Sequence, residues 1–214
     1  MDLQTVESLL DKFNGRFTIM YPILKNRLSV YSEYEVPFPQ EFLFFEERYL
    51  TIKKHMIEND IRKNVVDIGC QFGFQSEIFL DCDNYLGIDV EELRFFNTDK
   101  ENVNYKVGLF PYVDIDLTNK TVISSMSLGY FDLWIDKDEM KAKEKIVDKL
   151  KESETLYIAT KKELVDMLSD YFDNTEVLRE SKAGDFHLYV LRRGEWMEQV
   201  KDLSHFEEDT VDIE

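Results

Sequence analysis

The chain has 214 residues, and its 44 acidic and 26 basic residues give a formal net charge of −18. Apolar residues make up 43% of the sequence and aromatic residues 14%, which is enough for a hydrophobic core and excludes a wholly disordered chain. No apolar run approaches the roughly 18 residues that a membrane span requires, so an integral membrane protein is excluded as well. Because the N-terminal residues are polar and acidic, we predict no signal peptide and a cytoplasmic location.

The sequence contains two cysteines, Cys70 and Cys82, and three histidines, His55, His187 and His205. Without an export signal, two reduced thiols are expected rather than a disulfide. None of the histidines lies at ligand spacing from a cysteine, so we predict no metal site. We expect His55 on the surface of a helix and His187 within a strand, and neither is predicted to be a catalytic base.

The negative charge bears on the choice of partner. An acidic protein is repelled by DNA and RNA at long range, so direct nucleic-acid binding is not expected. The excess of acidic over basic residues is greatest in residues 195–214, which contain eight acidic residues and one lysine, Lys201. We interpret this stretch as a solvated acidic C-terminal tail. The alternative is an acidic surface that imitates nucleic acid toward a protein partner.

Residues 1–60 are predicted to form an N-terminal helical extension. The first helix ends before Gly15, and its apolar residues at helical spacing are Leu3, Val6, Leu9, Leu10 and Phe13. Prolines at positions 22, 37 and 39 interrupt the following stretch. A second helix is predicted over residues 40–58. Its apolar stripe, which we expect in the core, consists of Phe42, Phe45, Tyr49, Ile52 and Met56.

From residue 61 onward, short apolar runs alternate with helical or turn segments, which is typical of a parallel sheet with helices on both faces. Five runs are predicted as parallel strands: Asn64–Ile68, Tyr85–Val90, Val103–Val107, Thr121–Ser125 and Thr155–Thr160. Two further runs, Thr175–Arg179 and Phe186–Arg192, are separated by a short polar stretch with one glycine. That spacing predicts a hairpin, so the last strand should be antiparallel.

Two helices are predicted between these strands. Residues 137–152 form an amphipathic pattern whose inward residues are Met140, Ile146, Val147 and Leu150. Residues 160–163 have the sequence of a capping box, and the helix that they open carries Leu164, Leu168 and Tyr171. The predicted fold class is therefore α/β: a doubly wound, mainly parallel, seven-stranded sheet of Rossmann-like type over residues 61–194. The N-terminal helical extension precedes this domain and the acidic tail follows it.

The stretch from Val65 to Gly73 carries the most chemical information. Asp67 and Gly69 close the first predicted strand, and the turn after them leads to a helix that should begin near Gly73. In a doubly wound sheet, ligands bind beyond the carboxyl ends of the strands, where glycines let the backbone approach them. Asp89 ends the second strand, 20 residues after Gly69, and can accept hydrogen bonds from both ribose hydroxyls of a nucleoside.

Two residues argue against a dinucleotide. The dinucleotide fingerprint Gly-x-Gly-x-x-Gly needs a glycine where this chain has Gln71, whose side chain would crowd a pyrophosphate. Asp67, two residues before the first glycine, would repel a pyrophosphate and attract an ammonium group. The pattern favours a nucleoside that carries a positively charged group.

With Asp67, Gly69, Gly73 and Asp89 at these positions, residues 61–194 resemble the class I S-adenosylmethionine-dependent methyltransferases. Their first motif reads Asp/Glu-x-Gly-x-Gly-x-Gly, from which Gln71 departs. The resemblance implies S-adenosylmethionine as the cofactor, with Asp67 near the methionine amino group and Asp89 on the ribose. The implied cofactor-binding residues are Asp67, Gly69, Cys70, Gln71, Phe72, Gly73, Asp89, Val90 and Ser125.

The resemblance is less informative about the acceptor. The stretch after strand four lacks the Asn/Asp-Pro-Pro-aromatic motif of family members that methylate bases, so methylation of DNA bases is not expected. The stretch after strand three lacks the acid that often meets the adenine amino group. Tyr130 and Trp134 follow strand four on the rim where family substrates enter, and they are candidate substrate contacts with a packing role as the alternative. No residue is predicted to be catalytic.

These observations predict an S-adenosylmethionine-dependent methyltransferase acting on a small molecule or a protein side chain. Such an enzyme mainly holds donor and acceptor close and aligned, and it needs a base only where the acceptor must lose a proton. The alternative from another class is a catalytically inactive protein of this fold that binds or inhibits a partner through its acidic surface. An aminopropyl transferase is a third possibility, although the acids for its amine site are not evident.

Overall fold

The computed structural model describes residues 1–13, 39–61, 63–71, 73–91, 100–129, 134–181 and 186–194, and for residues 12–13 and 39–45 it describes the backbone alone. The predicted breaks at Pro22 and Pro37 lie outside these ranges. The acidic tail over residues 195–214, including His205, lies outside them as well.

Two helices precede the sheet, α1 (Leu3–Phe13) and α2 (Pro39–Glu58). Both were predicted, and α2 begins one residue earlier than its pattern indicated, with a proline in the first turn, where no intrahelical N–H bond is lost. Three residues of the predicted stripe, Tyr49, Ile52 and Met56, are buried as expected. The side chains of Phe42 and Phe45 are outside the described set.

Seven strands form one sheet: β1 (Val65–Ile68), β2 (Tyr85–Asp89), β3 (Val103–Val107), β4 (Thr121–Ser125), β5 (Thr155–Thr160), β6 (Asn174–Arg179) and β7 (His187–Arg192). Their order is β3-β2-β1-β4-β5-β7-β6. Neighbours among β1 to β5 are parallel, whereas β7 runs antiparallel to both β5 and β6. The predicted doubly wound sheet is confirmed, and its strand order reverses between β1 and β4.

Helices cover both faces of the sheet because the strands are apolar on both sides. A short 3-10 helix (Phe74–Phe79) follows β1, α3 (Glu139–Leu150) precedes β5 and α4 (Lys162–Ser169) follows it. Alternate strand residues belong to different cores: Val65 packs with α1, α2 and the 3-10 helix, and Val66 packs with α3 and α4. The central strands are thus enclosed between two helical layers.

The predicted inward face of α3 is wrong at one residue. Met140 is 49% exposed, whereas Ala142 and Lys143 are buried together with Ile146. The Lys143 ammonium is compensated by Glu139 and Glu163, each with an N···O distance of 2.6 Å. A lysine can be buried when it is paired with carboxylates, so a prediction based only on apolar residues does not place Lys143 on the inward face.

Three other local predictions are corrected by tertiary contacts. Lys161 occupies the N-cap position of α4, and the Thr160 hydroxyl instead donates to the Leu128 carbonyl at 3.0 Å. Tyr171, assigned to the helix, lies beyond its end and is 43% exposed. His55 is largely buried rather than on the surface, with its Nδ1 2.8 Å from the Tyr157 hydroxyl.

Cys70 and Cys82 are both buried and both free thiols. Over the described part of the chain, no helix combines the length and the apolar character that a bilayer span requires.

We expect Ile146→Ala to destabilise the protein by about 2–5 kcal/mol because it removes a fully buried side chain from the core beneath α3. Met140→Ala on the same helix should change the free energy of unfolding by less than about 0.5 kcal/mol, since this side chain is exposed. Urea unfolding of both variants measures the difference. Equal losses would contradict the burial described for α3.

Candidate functional site

The carboxyl ends of β1, β2 and β4 meet where the strand order reverses, which is where ligands bind in sheets of this kind. The loop over residues 69–73 follows β1 and lies against the end of β2. Gln71 N donates to Asp89 Oδ2 at 2.9 Å, and this bond joins the middle of the loop to the last residue of β2. The two motifs recognised in the sequence are therefore in direct contact.

Three residues of the loop have a left-handed backbone. The φ angles are +71° at Gly69, +46° at Gln71 and +69° at Gly73. Gln71 thus adopts the conformation for which the related motif has a glycine, although a side chain there carries a penalty of about 1–2 kcal/mol. The departure from the motif leaves the turn itself intact.

The described amide groups of this loop, those of Gly69, Cys70, Gln71 and Gly73, donate to protein acceptors. Besides the Gln71 bond, Gly69 N and Cys70 N donate to Ile88 O at 2.8 and 3.1 Å, and Gly73 N donates to Cys70 O at 2.9 Å. Phe72 lies outside the described residues. Because the described amides are already engaged, the loop does not offer them to a phosphate, in contrast to glycine-rich loops that bind anions.

Asp67 lies beneath the loop with no exposed surface and accepts three hydrogen bonds. The Tyr49 hydroxyl of α2 donates to Oδ1 at 3.0 Å. Gln75 Nε2 of the 3-10 helix and the Tyr85 hydroxyl of β2 donate to Oδ2 at 2.7 and 2.5 Å. We call these four residues the Asp67 cluster; it links three elements at the end of β1.

Burial raises the pKa of Asp67 to about 6, although the three hydrogen bonds act in the opposite direction. The pKa values of Tyr49 and Tyr85 are raised as well, mainly by burial and by the neighbouring carboxylate. Both hydroxyls therefore remain protonated donors at neutral pH. Asp67 is mostly ionised there, and its charge lies directly under the loop.

The end of β4 closes the other side of the site. The buried Ser125 hydroxyl accepts a hydrogen bond from Arg48 Nη1 of α2 at 3.1 Å. Ser127 packs on the loop so closely that a Cβ at Gly69 would lie 2.2 Å from the Ser127 Cβ. Its hydroxyl donates to Ile68 O at 2.6 Å. Glycine at position 69 is required by this close approach as well as by its φ angle.

The remaining predicted residues lie at the rim or outside the described ranges. Val90 is exposed directly after β2, and Glu91 N is 3.3 Å from Asp89 Oδ1. Trp134 is exposed after β4. Phe72 and Tyr130 are not among the described residues. The structure thus brings together Asp67, Gly69, Cys70, Gln71, Gly73, Asp89, Val90 and Ser125; their predicted contacts with a cofactor stay predictions.

Several residues of the site were not identified from the sequence. Tyr49 was assigned to the apolar stripe of α2, and its hydroxyl had no signal in that pattern. Gln75 could have been noticed as a polar residue next to the motif, at a position that the fold buries. Arg48, Tyr85 and Ser127 have no local signature, because only the tertiary structure brings their side chains to Ser125, Asp67 and Ile68, respectively.

No family model matches the sequence. A search of curated proteins likewise finds no significant similarity.

Solved structures of similar fold were found. The N-methyltransferase NodS from Bradyrhizobium japonicum WM9 superposes with a TM-score of 0.52 at 13% identity, covering 71% of this chain and 97% of NodS. NodS in complex with S-adenosyl-L-homocysteine superposes with a TM-score of 0.52 at 14% identity, and the match covers 71% of this chain and 88% of the NodS chain. The bifunctional kinase-methyltransferase WbdD gives 0.52 at 15% identity, covering 86% of this chain and 46% of WbdD.

The match spans nearly all of NodS but less than half of WbdD. At these identities the likeness concerns the fold. The chain has the Rossmann-like fold of the class I S-adenosylmethionine-dependent methyltransferases, and the resemblance predicted from the sequence is confirmed at that level.

The raised pKa of Asp67 predicts a pH-dependent contribution to stability. Because the folded-state pKa of about 6 exceeds the ordinary pKa of 3.8 for an aspartate side chain, protonation favours the folded state. The contribution is fully present below pH 3.8 and is lost as pH rises through 6, a change of about 3 kcal/mol. The difference in unfolding free energy between wild type and Asp67→Asn should therefore fall between pH 4 and pH 7.

Urea unfolding at several pH values measures this difference, and the subtraction removes the contributions of the other acids. The Cγ resonance of Asp67 should titrate near pH 6 in the same range. A difference that is constant or rises with pH would contradict the described environment of Asp67.

Proposed function

We propose that this protein is an S-adenosylmethionine-dependent methyltransferase that acts on a small molecule or a protein side chain. The observation that carries the proposal is the placement of Asp89 at the end of β2, in contact with the left-handed loop after β1. A carboxylate has about four acceptor positions, and the backbone amides of Gln71 and Glu91 take two of them. Acceptor capacity therefore remains for a ribose diol.

The surroundings of Asp89 suit a ligand that donates hydrogen bonds and carries positive charge. The described loop amides already have acceptors, and two carboxylates, Asp67 and Asp89, lie under and beside the loop. A pyrophosphate would find repulsion here, whereas an ammonium or sulfonium group would be attracted. S-adenosylmethionine combines these groups with a ribose diol, so the residues present fit this cofactor.

Bound S-adenosylmethionine would supply a methyl group already activated by its sulfonium. Asp89 would hold the ribose, the loop over residues 69–73 would enclose the amino-acid part, and Val90 would lie beside the base. The negative charge of Asp67 would favour the amino group from beneath the loop. An acceptor that presents a free lone pair needs no protein base, so the task of the chain is to orient the two reactants.

Structural neighbours support the proposal without extending it to a substrate. NodS is an N-methyltransferase, and one of its structures contains S-adenosyl-L-homocysteine. The shared fold makes a similar cofactor site a reasonable proposal for this chain. The acceptor is left at the level of its class, because fold alone does not determine it.

A second candidate function is that of a catalytically inactive protein of this fold, which binds or inhibits a partner and transfers no methyl group. One observation favours it: Asp67 has no exposed surface and three protein donors, so direct contact with a ligand would require the Asp67 cluster to rearrange. Such a protein would act on a partner through its acidic surface. Cofactor binding separates the two candidates.

We expect the purified protein to bind S-adenosyl-L-homocysteine in calorimetry, and Asp89→Asn to weaken binding at least about tenfold. Loss of the charge removes hydrogen bonds to an ionised group, each contributing about 1.5–3 kcal/mol. Asp83→Ala is the matched control, since Asp83 lies just before the same strand at the opposite end and is exposed. It should leave the affinity unchanged.

No binding by the wild type would overturn the proposed enzyme and favour the inactive candidate. Equal weakening by both variants would argue against a ribose contact at Asp89. Where binding is observed, release of S-adenosyl-L-homocysteine from S-adenosylmethionine in the presence of small amines or protein substrates tests for turnover.

A further inference from the structure

Gln71 is held in a conformation that a glutamine rarely adopts. Its φ angle of +46° lies in the left-handed region, between two glycines that also have positive φ angles. Such a conformation persists in a non-glycine residue only when surrounding contacts determine it. The contacts on both sides of Gln71 therefore decide whether the loop keeps its shape.

On one side, the Gln71 amide donates to Asp89 Oδ2 at 2.9 Å. On the other side, the preceding carbonyl, that of Cys70, accepts from Gln75 Nε2 at 2.8 Å and from Gly73 N, within the loop, at 2.9 Å. The peptide group between Cys70 and Gln71 is thus bound at both its N–H and its C=O. Rotation of this peptide out of the left-handed turn would break the described bonds at both groups, and Gln75 supplies the only one of them that a side chain donates.

Gln75 is suited to this contact because its amide nitrogen donates both to the loop and to the Asp67 cluster, where the Tyr49 hydroxyl also lies within 3.3 Å of Nε2. Nε2 donates to Asp67 Oδ2 at 2.7 Å as well as to the Cys70 carbonyl. The residue is only 4% exposed, so water would not replace the amide if it were removed. Among the described residues, Cys70 O would keep only Gly73 N as a donor, and Asp67 Oδ2 would keep only the Tyr85 hydroxyl. A glutamate could not donate to either acceptor and would add a charge beside Asp67.

We propose that Gln75 is a positioning residue that holds the loop over residues 69–73 from beneath. Its hydrogen bond to the Cys70 carbonyl stabilises the left-handed conformation at Gln71, which a glycine at position 71 would adopt without support. Tyr49 and Tyr85 hold the Asp67 carboxylate against which Gln75 is oriented. Asp67 therefore places a negative charge beside the turn and also, by orienting the Gln75 amide, helps to hold the turn in its conformation. The consequence for cofactor affinity rests on the function proposed above, whereas the consequence for loop conformation does not.

The test compares wild type, Gln75→Met, Gln71→Gly and the double variant. Gln75→Met keeps the length of the side chain and removes its donors. We expect exchange of the Gln71 amide, measured by NMR, to accelerate at least about tenfold and S-adenosyl-L-homocysteine affinity to fall about tenfold, as for loss of a buried hydrogen bond. Gln71→Gly added to Gln75→Met should restore most of the affinity, since glycine adopts the turn without support.

Asn102→Leu is the matched control for a merely structural amide. Asn102 Nδ2 also donates to two carbonyls, Leu80 O at 3.0 Å and Cys82 O at 2.8 Å, before the amino ends of the strands. Its loss should lower the free energy of unfolding and leave Gln71 exchange and ligand affinity unchanged. Should Gln75→Met fail to fold, Gln75→Asn keeps the amide one methylene too short to reach both acceptors.

Unchanged Gln71 exchange in the Gln75 variants would overturn the proposal. A loss of affinity in Gln75→Met that the added Gln71→Gly does not restore would also overturn it, because Gln75 would then affect binding by some route other than the conformation of the turn. If the wild type binds no ligand but Gln75→Met accelerates Gln71 exchange, the proposed function fails and the positioning role stands.

Discussion

The site depends on one buried carboxylate, Asp67, and on the donors that compensate it. An isolated charge in the interior is strongly unfavourable, and Asp67 is retained because hydroxyl and amide donors from three elements converge on it. The same bonds join α2, β2 and the 3-10 helix at the end of β1. A group that is costly to bury thereby determines where these elements meet and what charge lies under the loop.

The loop above Asp67 has a chemical character that follows from its hydrogen bonds. Its described amides are directed to protein acceptors, and a second carboxylate, Asp89, closes it at the end of β2. Most glycine-rich turns of doubly wound sheets present amides to an anion. This one presents acceptors and negative charge, which favours ligands that donate hydrogen bonds. The two kinds of loop share a glycine-rich turn after the first strand and differ in whether its amides bind a ligand or protein acceptors.

Helix α2 belongs to the site as much as to the core. Two consecutive residues, Arg48 and Tyr49, reach Ser125 at the end of β4 and Asp67 at the end of β1. The same helix packs Ile52 and Met56 into the apolar layer. Burial lowers the pKa of Arg48 to about 10, so it remains a cation beside β4. The helix therefore couples the packing of the N-terminal region to the geometry of both strand ends.

Periodicity determined the strands to within one residue at each end, the hairpin and both N-terminal helices, because alternation and helical spacing are local properties of the chain. Motif spacing likewise located Asp67, Gly69 and Asp89. Only the tertiary structure decided that Met140 faces solvent, that Gln71 adopts a glycine-like turn and that Gln75 donates to that turn. These depend on which distant groups converge, and polar partners brought together by folding leave no period in a sequence.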